Sequence, residues 1–174
     1  MKHLLYSILF ILFGCSSSIN TILVTNSGQA QGSYYHIKYM SEDGLDYGFQ
    51  IDSILLEIDS SLSVYKSYSI ISRLNNKELV RTDSMFNTVF LASKKIFNQT
   101  DGYFDCSVSP LVNYYGFYNL GNTDSLTIDS SIVRNIVSNI GLDKINIIGD
   151  SLVLPKSMKL DFNAIAQGYT VDLI

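Results

Sequence analysis

Residues 160–174 read LDFNAIAQGYTVDLI, and this stretch decides the fold class. Leu160 and Phe162 flank Asp161 in strand-like alternation, which delivers one carboxylate to a surface. A small-residue turn then opens a helix through Ala164, Ile165, Ala166 and Gly168. A carboxylate at such a junction caps the helix or meets a ligand's donor groups. Backbone amides and carbonyls there serve a phosphate or a metal.

Working outward, KINIIGDSLVLP (144–155) reads as a hairpin, two β-rich runs about Gly149-Asp150, and MKLDF (158–162) as a further strand. Ile132, Val133, Ile136, Val137 and Ile140 make a helical stripe that starts at Asp129 and stops at Gly141. A second stripe runs through Phe86, Val89, Phe90, Ile96 and Phe97, with Thr82 or Asp83 as its cap. A third takes Ile51, Ile54, Leu55, Ile58 and Leu62. ILVTNS (22–27) and SYYHIKYM (33–40) are β-branched and aromatic enough for strands, and EDGLDYG (42–48) breaks them from the first helix. Helices and antiparallel hairpins in this order predict an α+β fold, not a βαβ series. Neither GxGxxG nor GxxxxGK[ST] occurs, so dinucleotide-fold and P-loop readings have no support.

The 174 residues are 47% apolar, enough for one domain with a core. Net charge is -4 with no basic run, which argues against a nucleic-acid partner. MKHLLYSILFILFGC (1–15) has a short basic start and an apolar run from Leu4 to Phe13, too short for a permanent span and suited to a signal peptide. Leu12-Phe13-Gly14-Cys15 resembles a bacterial lipobox; the alternative is an ordinary secretory signal cut near Ser16–Ser18, or a short anchor. The expected organisation is a signal peptide over 1–14, a tether over 15–24 lipid-anchored through Cys15, and a folded part over 25–174. The expected location is the bacterial cell envelope, with the protein on the membrane and facing the periplasm. With Cys15 lipidated, Cys106 has no disulfide partner. His36 lies in an alternating segment and reads as a strand residue rather than a base.

Four segments resist a purely structural account, although each alone has a bland reading. In SGQAQGSYYHIKY (27–39), Gly28 and Gly32 allow close backbone approach to a ligand, or simply bend the chain. In SSLSVYKSYSIISRLNN (60–76), a helix gives way to a hydroxyl-rich loop and a short helical turn holding Arg73 and Asn75; Tyr65 there is placed to stack on a planar ligand, or is an ordinary surface tyrosine. In TDGYFDCSVSPLVNYYGF (100–117), the Asp101-Gly102 turn precedes Tyr103-Phe104-Asp105, and the dense aromatics form a core corner or a wall for an aromatic cofactor. The fourth segment is the 160–174 junction.

In order, these segments resemble the ApbE family, the bacterial FAD:protein FMN transferases, over roughly residues 25–174. The marks are GQAQGSYYHIKY, LSVYKSYSIISRLN, TDGYFDCSVSPLV, GLDKI and LDFNAIAQGYTVD. The resemblance implies an ApbE-like two-lobed fold. It also implies an enzyme that splits the pyrophosphate of FAD with Mg2+ and moves FMN to a threonine of an exported target flavoprotein, such as a subunit of a redox complex. By the same resemblance Gln31, Tyr65, Tyr103, Phe104, Asp105 and Asp161 meet FAD, and the Ala164 backbone carbonyl meets magnesium. Gln167 stands where the family often has Lys, which removes a charge facing the phosphates. Gly32-Ser33 replaces Gly-Thr, and Cys106-Ser107 stands where Pro-Thr is common.

The family's second half, with a DAxAT-like metal run and a catalytic His, is not found in residues 1–174. The chain is therefore expected to be the N-terminal part of a transferase, inactive alone, with its catalytic group elsewhere. Two competing readings are an FAD-binding or FAD-pyrophosphatase lipoprotein without transferase activity, and a non-enzymatic envelope lipoprotein.

Overall fold

The computed structural model describes residues 21–117, 128–148 and 151–174. The signal, the lipobox and Cys15 lie outside the described residues, as does the Gly149-Asp150 turn. Among the described residues no helix is long and apolar enough to cross a membrane.

The chain opens on a hairpin, β1 (Thr21–Ala30) and β2 (Ser33–Glu42), paired antiparallel from Thr21↔Glu42 to Ala30↔Ser33. Residues 21–24, expected in the tether, are thus part of a strand. Gln31 and Gly32 alone make the turn, with φ of 52° and 75°. Two successive positive φ values match the right-handed twist of a tight hairpin, and glycine accepts the second without strain. Gly28 has a different reason: a Cβ there would meet the Tyr35 ring at 2.8 Å. The bend and close-approach readings of these glycines resolve into a turn residue and a seat for an aromatic ring.

Three helices follow, two predicted by their apolar stripes and the short one between them expected as a helical turn. Helix α1 (Gly48–Leu62) buries Ile51, Ile58 and Leu62, and the short α2 (Ile70–Asn75) buries Ile71 and Leu74. Helix α3 (Ser84–Gln99) starts at Asp83, whose carboxylate accepts from Phe86 N at 2.7 Å and from Ser61 Oγ at 2.8 Å. That pair of bonds satisfies an orphan amide and ties α3 to α1. Helix α4 (Ser109–Tyr114) was not foreseen; Pro110 in its first turn is tolerated because that amide needs no partner. Helix α5 (Ser130–Asn139) starts at Asp129 as expected, yet its apolar stripe buries no residue. Its main packing partner among the described residues is the six-residue α4.

A 3-10 turn (Leu142–Lys144) leads to a second antiparallel hairpin, β3 (Asn146–Ile148) and β4 (Ser151–Val153), and α6 (Asn163–Leu173) follows. Two small antiparallel sheets with packed helices make the fold α+β. The core gathers Phe86, Val89 and Phe90 of α3 with Ile58, Leu62, Ile71, Leu142, Met158, Leu160 and Phe162. Phe162 meets Phe86 edge-on, with centroids 5.2 Å apart. Each such fully buried side chain contributes about 1.5–3 kcal/mol.

The expected strand over 158–162 is corrected. Its only β-bridge among the described residues is an isolated parallel one, Val108↔Lys159. The alternation of Met158, Leu160 and Phe162 does signal one buried face, since all three are fully buried. It carries no information about a ladder, and none forms among the described residues.

Candidate functional site

Local chemistry sets each candidate residue. At the hairpin tip, the left-handed Gln31 sends its carboxamide to α6, where Nε2 donates to Thr170 Oγ1 at 2.5 Å. The α1–α2 loop folds on itself: the Ser69 and Ser72 hydroxyls both donate to Ser63 O, at 2.7 and 3.2 Å, which leaves Tyr65 largely exposed. Gln167 projects from α6. These three, from a turn, a loop and a helix, surround one cavity of about 310 Å³, whose floor is Ile58, Leu62 and Ala166 and whose rim includes Asp59 and Asn163. An apolar floor under a polar rim suits a ligand with a flat ring and polar substituents.

Asp161 stands at the head of α6, 8% exposed. Its Oδ1 accepts from Asn163 N at 2.7 Å, and Asn163 Nδ2 approaches Oδ2 at 3.3 Å and the Tyr65 hydroxyl at 3.4 Å. The carboxylate therefore takes the first amide of α6 from one residue before the cap position, Phe162, which makes no side-chain cap bond, and it stands where the helix dipole favours negative charge. Asn163 links it to Tyr65 and to the cavity rim. Sequence reasoning passed over Asn163 and Thr170, which join the predicted residues to each other; their spacing along α6 was the available signal.

Tyr103, Phe104 and Asp105 form a neighbouring group that does not line the 310 Å³ cavity. The Asp101-Gly102 turn forms as expected, with φ of 49° and 81°, just beyond the end of α3. It leaves Tyr103 96% exposed while Phe104 packs on the core. Asp105 is turned back onto Ser107, accepting from its N at 2.8 Å and its Oγ at 2.7 Å. The Ser107 hydroxyl in turn accepts from Gly141 N at 2.7 Å, so the retained hydroxyl pins the GLDKI stretch to this turn. Asp161 N donates to Cys106 O at 2.7 Å, which ties the two groups of candidates together.

Cys106 is free and buried. Burial pushes its thiol up to about 11, against a lowering bond with Ser93, and the Asp105 and Asp161 charges raise it further. A thiol so poised is inert. His36 sits in β2 with Nδ1 2.5 Å from Ser27 Oγ, a strand residue as expected.

Magnesium finds an incomplete set of donors. Among the described residues no group of three or more His, Cys, Asp or Glu could hold a metal. Ala164 lies in the first turn of α6, where a helical carbonyl already accepts from the amide four residues on. One carbonyl beside one carboxylate does not make the near-octahedral oxygen cage that Mg2+ demands. The described residues do not fit the metal by themselves.

The ApbE family model matches residues 31–174. The chain belongs to the ApbE family. Two curated relatives are named FAD:protein FMN transferase. One, from Vibrio cholerae, is 28% identical over 95% of this chain and 51% of its own length. The other, from Haemophilus influenzae, is 26% identical over the whole of this chain and 55% of its own. The chain thus spans about half the length of the curated relatives it matches. Among solved structures, the Vibrio cholerae flavin transferase ApbE superposes with a TM-score of 0.78 at 27% identity, covering 88% of this chain and 52% of that one. The Pseudomonas stutzeri flavinyl transferase ApbE in its apo form gives 0.78 at 29%, covering 88% and 51%. These neighbours bear out the ApbE-like α+β fold.

Proposed function

We propose that the protein of which this chain is a part transfers FMN from FAD to a threonine of a target flavoprotein. The observation that carries the reading is the convergence of Gln31, Tyr65 and Gln167 on one cavity, in a chain of the ApbE family. In this reading the threonine oxygen attacks the phosphorus on the FMN side of the pyrophosphate. The P–O bond to the AMP phosphate breaks, AMP leaves, the hydroxyl proton passes to a base, and a phosphoester remains.

The chain's own residues bind and orient. Tyr65 offers a ring face to the flavin or adenine, and the Gln31 and Gln167 carboxamides offer neutral donors to the pyrophosphate. Asp161 and the turn of Tyr103, Phe104 and Asp105 hold the rest of the nucleotide. The neutral Gln167 leaves charge neutralisation to magnesium, which stabilises negative charge on a splitting pyrophosphate when bound. The carboxylates that complete its site come from outside the described residues, with the Ala164 carbonyl at its edge. Lipidation at Cys15 would hold the protein on the periplasmic face of the envelope, within reach of an exported acceptor.

The test incubates the full-length protein, and separately the 174-residue chain, with FAD, Mg2+ and a threonine-containing acceptor flavoprotein. Covalent flavin fluorescence on the acceptor with equimolar AMP is the expected result for the full-length protein. AMP and free FMN without labelled acceptor would establish an FAD pyrophosphatase instead. Labelling by the 174-residue chain would overturn the expectation that it is inactive alone.

A further inference from the structure

Asp161 lies on a segment without a strand ladder, yet the segment is pinned on both edges. In an extended chain the N–H and C=O of one residue point to one side, and those of the next residue to the other. Leu160 turns both groups to Asn75: its N donates to Asn75 Oδ1 at 2.7 Å, and Asn75 Nδ2 donates to Leu160 O at 2.8 Å. The next amide, Asp161 N, points the opposite way to Cys106 O at 2.7 Å. One carboxamide thus stands where a strand neighbour would, and no such neighbour is present among the described residues.

The replacement is chemically specific. With carboxyl groups ionised, only Asn and Gln carry a donor and an acceptor side by side on one neutral planar group. Leu160 is fully buried, so its two backbone groups have no water to turn to if that amide is lost. Asn75 is also held firmly, as the last residue of α2, whose start is capped by Ser69 Oγ and whose Ile71 and Leu74 are buried. Lys77 Nζ makes a further tie to Met158 O, two residues farther from Asp161 than the Leu160 pair.

We propose that Asn75 is a positioning residue for the flavin site: by completing the strand edge at Leu160 it sets where the Asp161 carboxylate stands, and thereby the affinity for FAD, acting through that backbone clamp rather than through its place beside Tyr65 on the wall of a second cavity of about 500 Å³. The proposal rests on the reading of Asp161 as an FAD contact. An aspartate at 75 would accept from Leu160 N but would set a carboxylate oxygen against Leu160 O. A glutamine would keep both groups and displace them by a methylene.

The experiment measures FAD dissociation constants of the full-length protein by flavin fluorescence quenching, below the melting point of every variant. Asn75→Asp should weaken FAD by about tenfold to a hundredfold, the penalty for a misplaced contact. Lys77→Met, which cuts a tie on the same segment, should change affinity by less than about threefold even where it lowers the melting point as much. The decisive measurement is the double variant of Asn75→Asp with Asp161→Asn, which should match Asp161→Asn alone within about twofold. Additive losses, or an equal loss from Lys77→Met, would reduce Asn75 to a general stabiliser and overturn the proposal. If Asn75→Asp does not fold, Asn75→Gln takes its place, and unchanged affinity there overturns it too. A loss from Asp161→Asn with none from either Asn75 variant sinks the positioning role and leaves the flavin reading intact. No loss from Asp161→Asn removes the flavin reading of that residue and the positioning role with it.

Discussion

The β1–β2 hairpin and the 158–162 segment teach opposite lessons about order. The hairpin pairs all ten residues of each strand in unbroken register, yet no residue of β1 is buried and only Ser41 of β2 is. The 158–162 segment has a single bridge, yet Met158, Leu160 and Phe162 are fully buried and Asp161 nearly so. Regular hydrogen bonding and mechanical fixity therefore come apart in this molecule. A two-stranded ribbon is marginal in water by itself. An irregular segment held by a carboxamide, a carbonyl and a buried phenylalanine is not. The candidate site spans both regions, with Gln31 on the ribbon and Asp161 on the clamped segment, joined through α6.

The largest effect expected from this contrast is at Phe162. Truncation by Phe162→Ala opens a cavity beside Phe86 at the foot of α6 and should cost about 3–5 kcal/mol, read as a fall in the urea midpoint. A loss under about 1 kcal/mol would mean the segment is no better held than the ribbon. The next effect is a pH dependence at Cys106, whose carbonyl holds the Asp161 amide. Its folded thiol is raised from the ordinary 9.0 to about 11. The unfolded thiol ionises first as pH rises, so this stabilisation is complete below pH 9 and is lost between 9 and 11. Linkage makes the loss on the order of 2–3 kcal/mol. Unfolding curves of wild type and Cys106→Ala at pH 8 and 10.5 isolate it from the tyrosines and lysines that titrate nearby. Parallel pH profiles for the two proteins would refute it.

Legibility in the sequence followed how locally each feature is encoded. Helix α1 announces itself by its stripe alone, and α3 and α5 by stripe and cap within one element, with Asp83 and Asp129 beginning their helices where a short acidic side chain predicts. The 158–162 segment was misread because alternation reports burial of one face, while a ladder depends on a partner elsewhere in the chain. The partner proved to be a side chain, Asn75, 85 residues away, and a carbonyl at Cys106. Helix α4 was hidden because its only local marks are Pro110 and a run of aromatics that suits several structures. At the site, family resemblance named the residues, but the geometry separated them into the group around the 310 Å³ cavity and the group at the Asp101-Gly102 turn. The link between hairpin and α6, Gln31 to Thr170, spans 139 residues and leaves no local trace.

That link gives a smaller test. Thr170→Val keeps the shape and removes the hydroxyl that accepts from Gln31 and donates to Ala166 O at 2.8 Å. The expected cost is about 0.5–1.5 kcal/mol, because the freed Gln31 amide at the cavity rim regains water. Its signature is spatial: amide exchange should quicken along β1 and β2 while Leu160 and Asp161 stay protected. Uniform quickening in both regions would show that the ribbon and the clamped segment open as one unit.

The smallest stability effect is expected at the exposed aromatics, where it separates folding from binding most cleanly. Tyr34 on the ribbon is 81% exposed and Tyr103 beside the clamped segment is 96% exposed. Neither packs on the core, so Tyr34→Ala and Tyr103→Ala should each leave stability within about 0.5 kcal/mol. Their effects on FAD should differ. Tyr103 belongs to the turn tied to Asp161 through Cys106, and loss of one aromatic face against a planar ring should weaken FAD by about threefold to tenfold. Tyr34 lacks that tie, although it lines a cavity on the hairpin side with Gln31 and Tyr65, and its loss should weaken FAD less than that of Tyr103. Equal weakening would move the nucleotide toward the ribbon. No weakening from Tyr103→Ala would confine it to the cavity framed by Gln31, Tyr65 and Gln167.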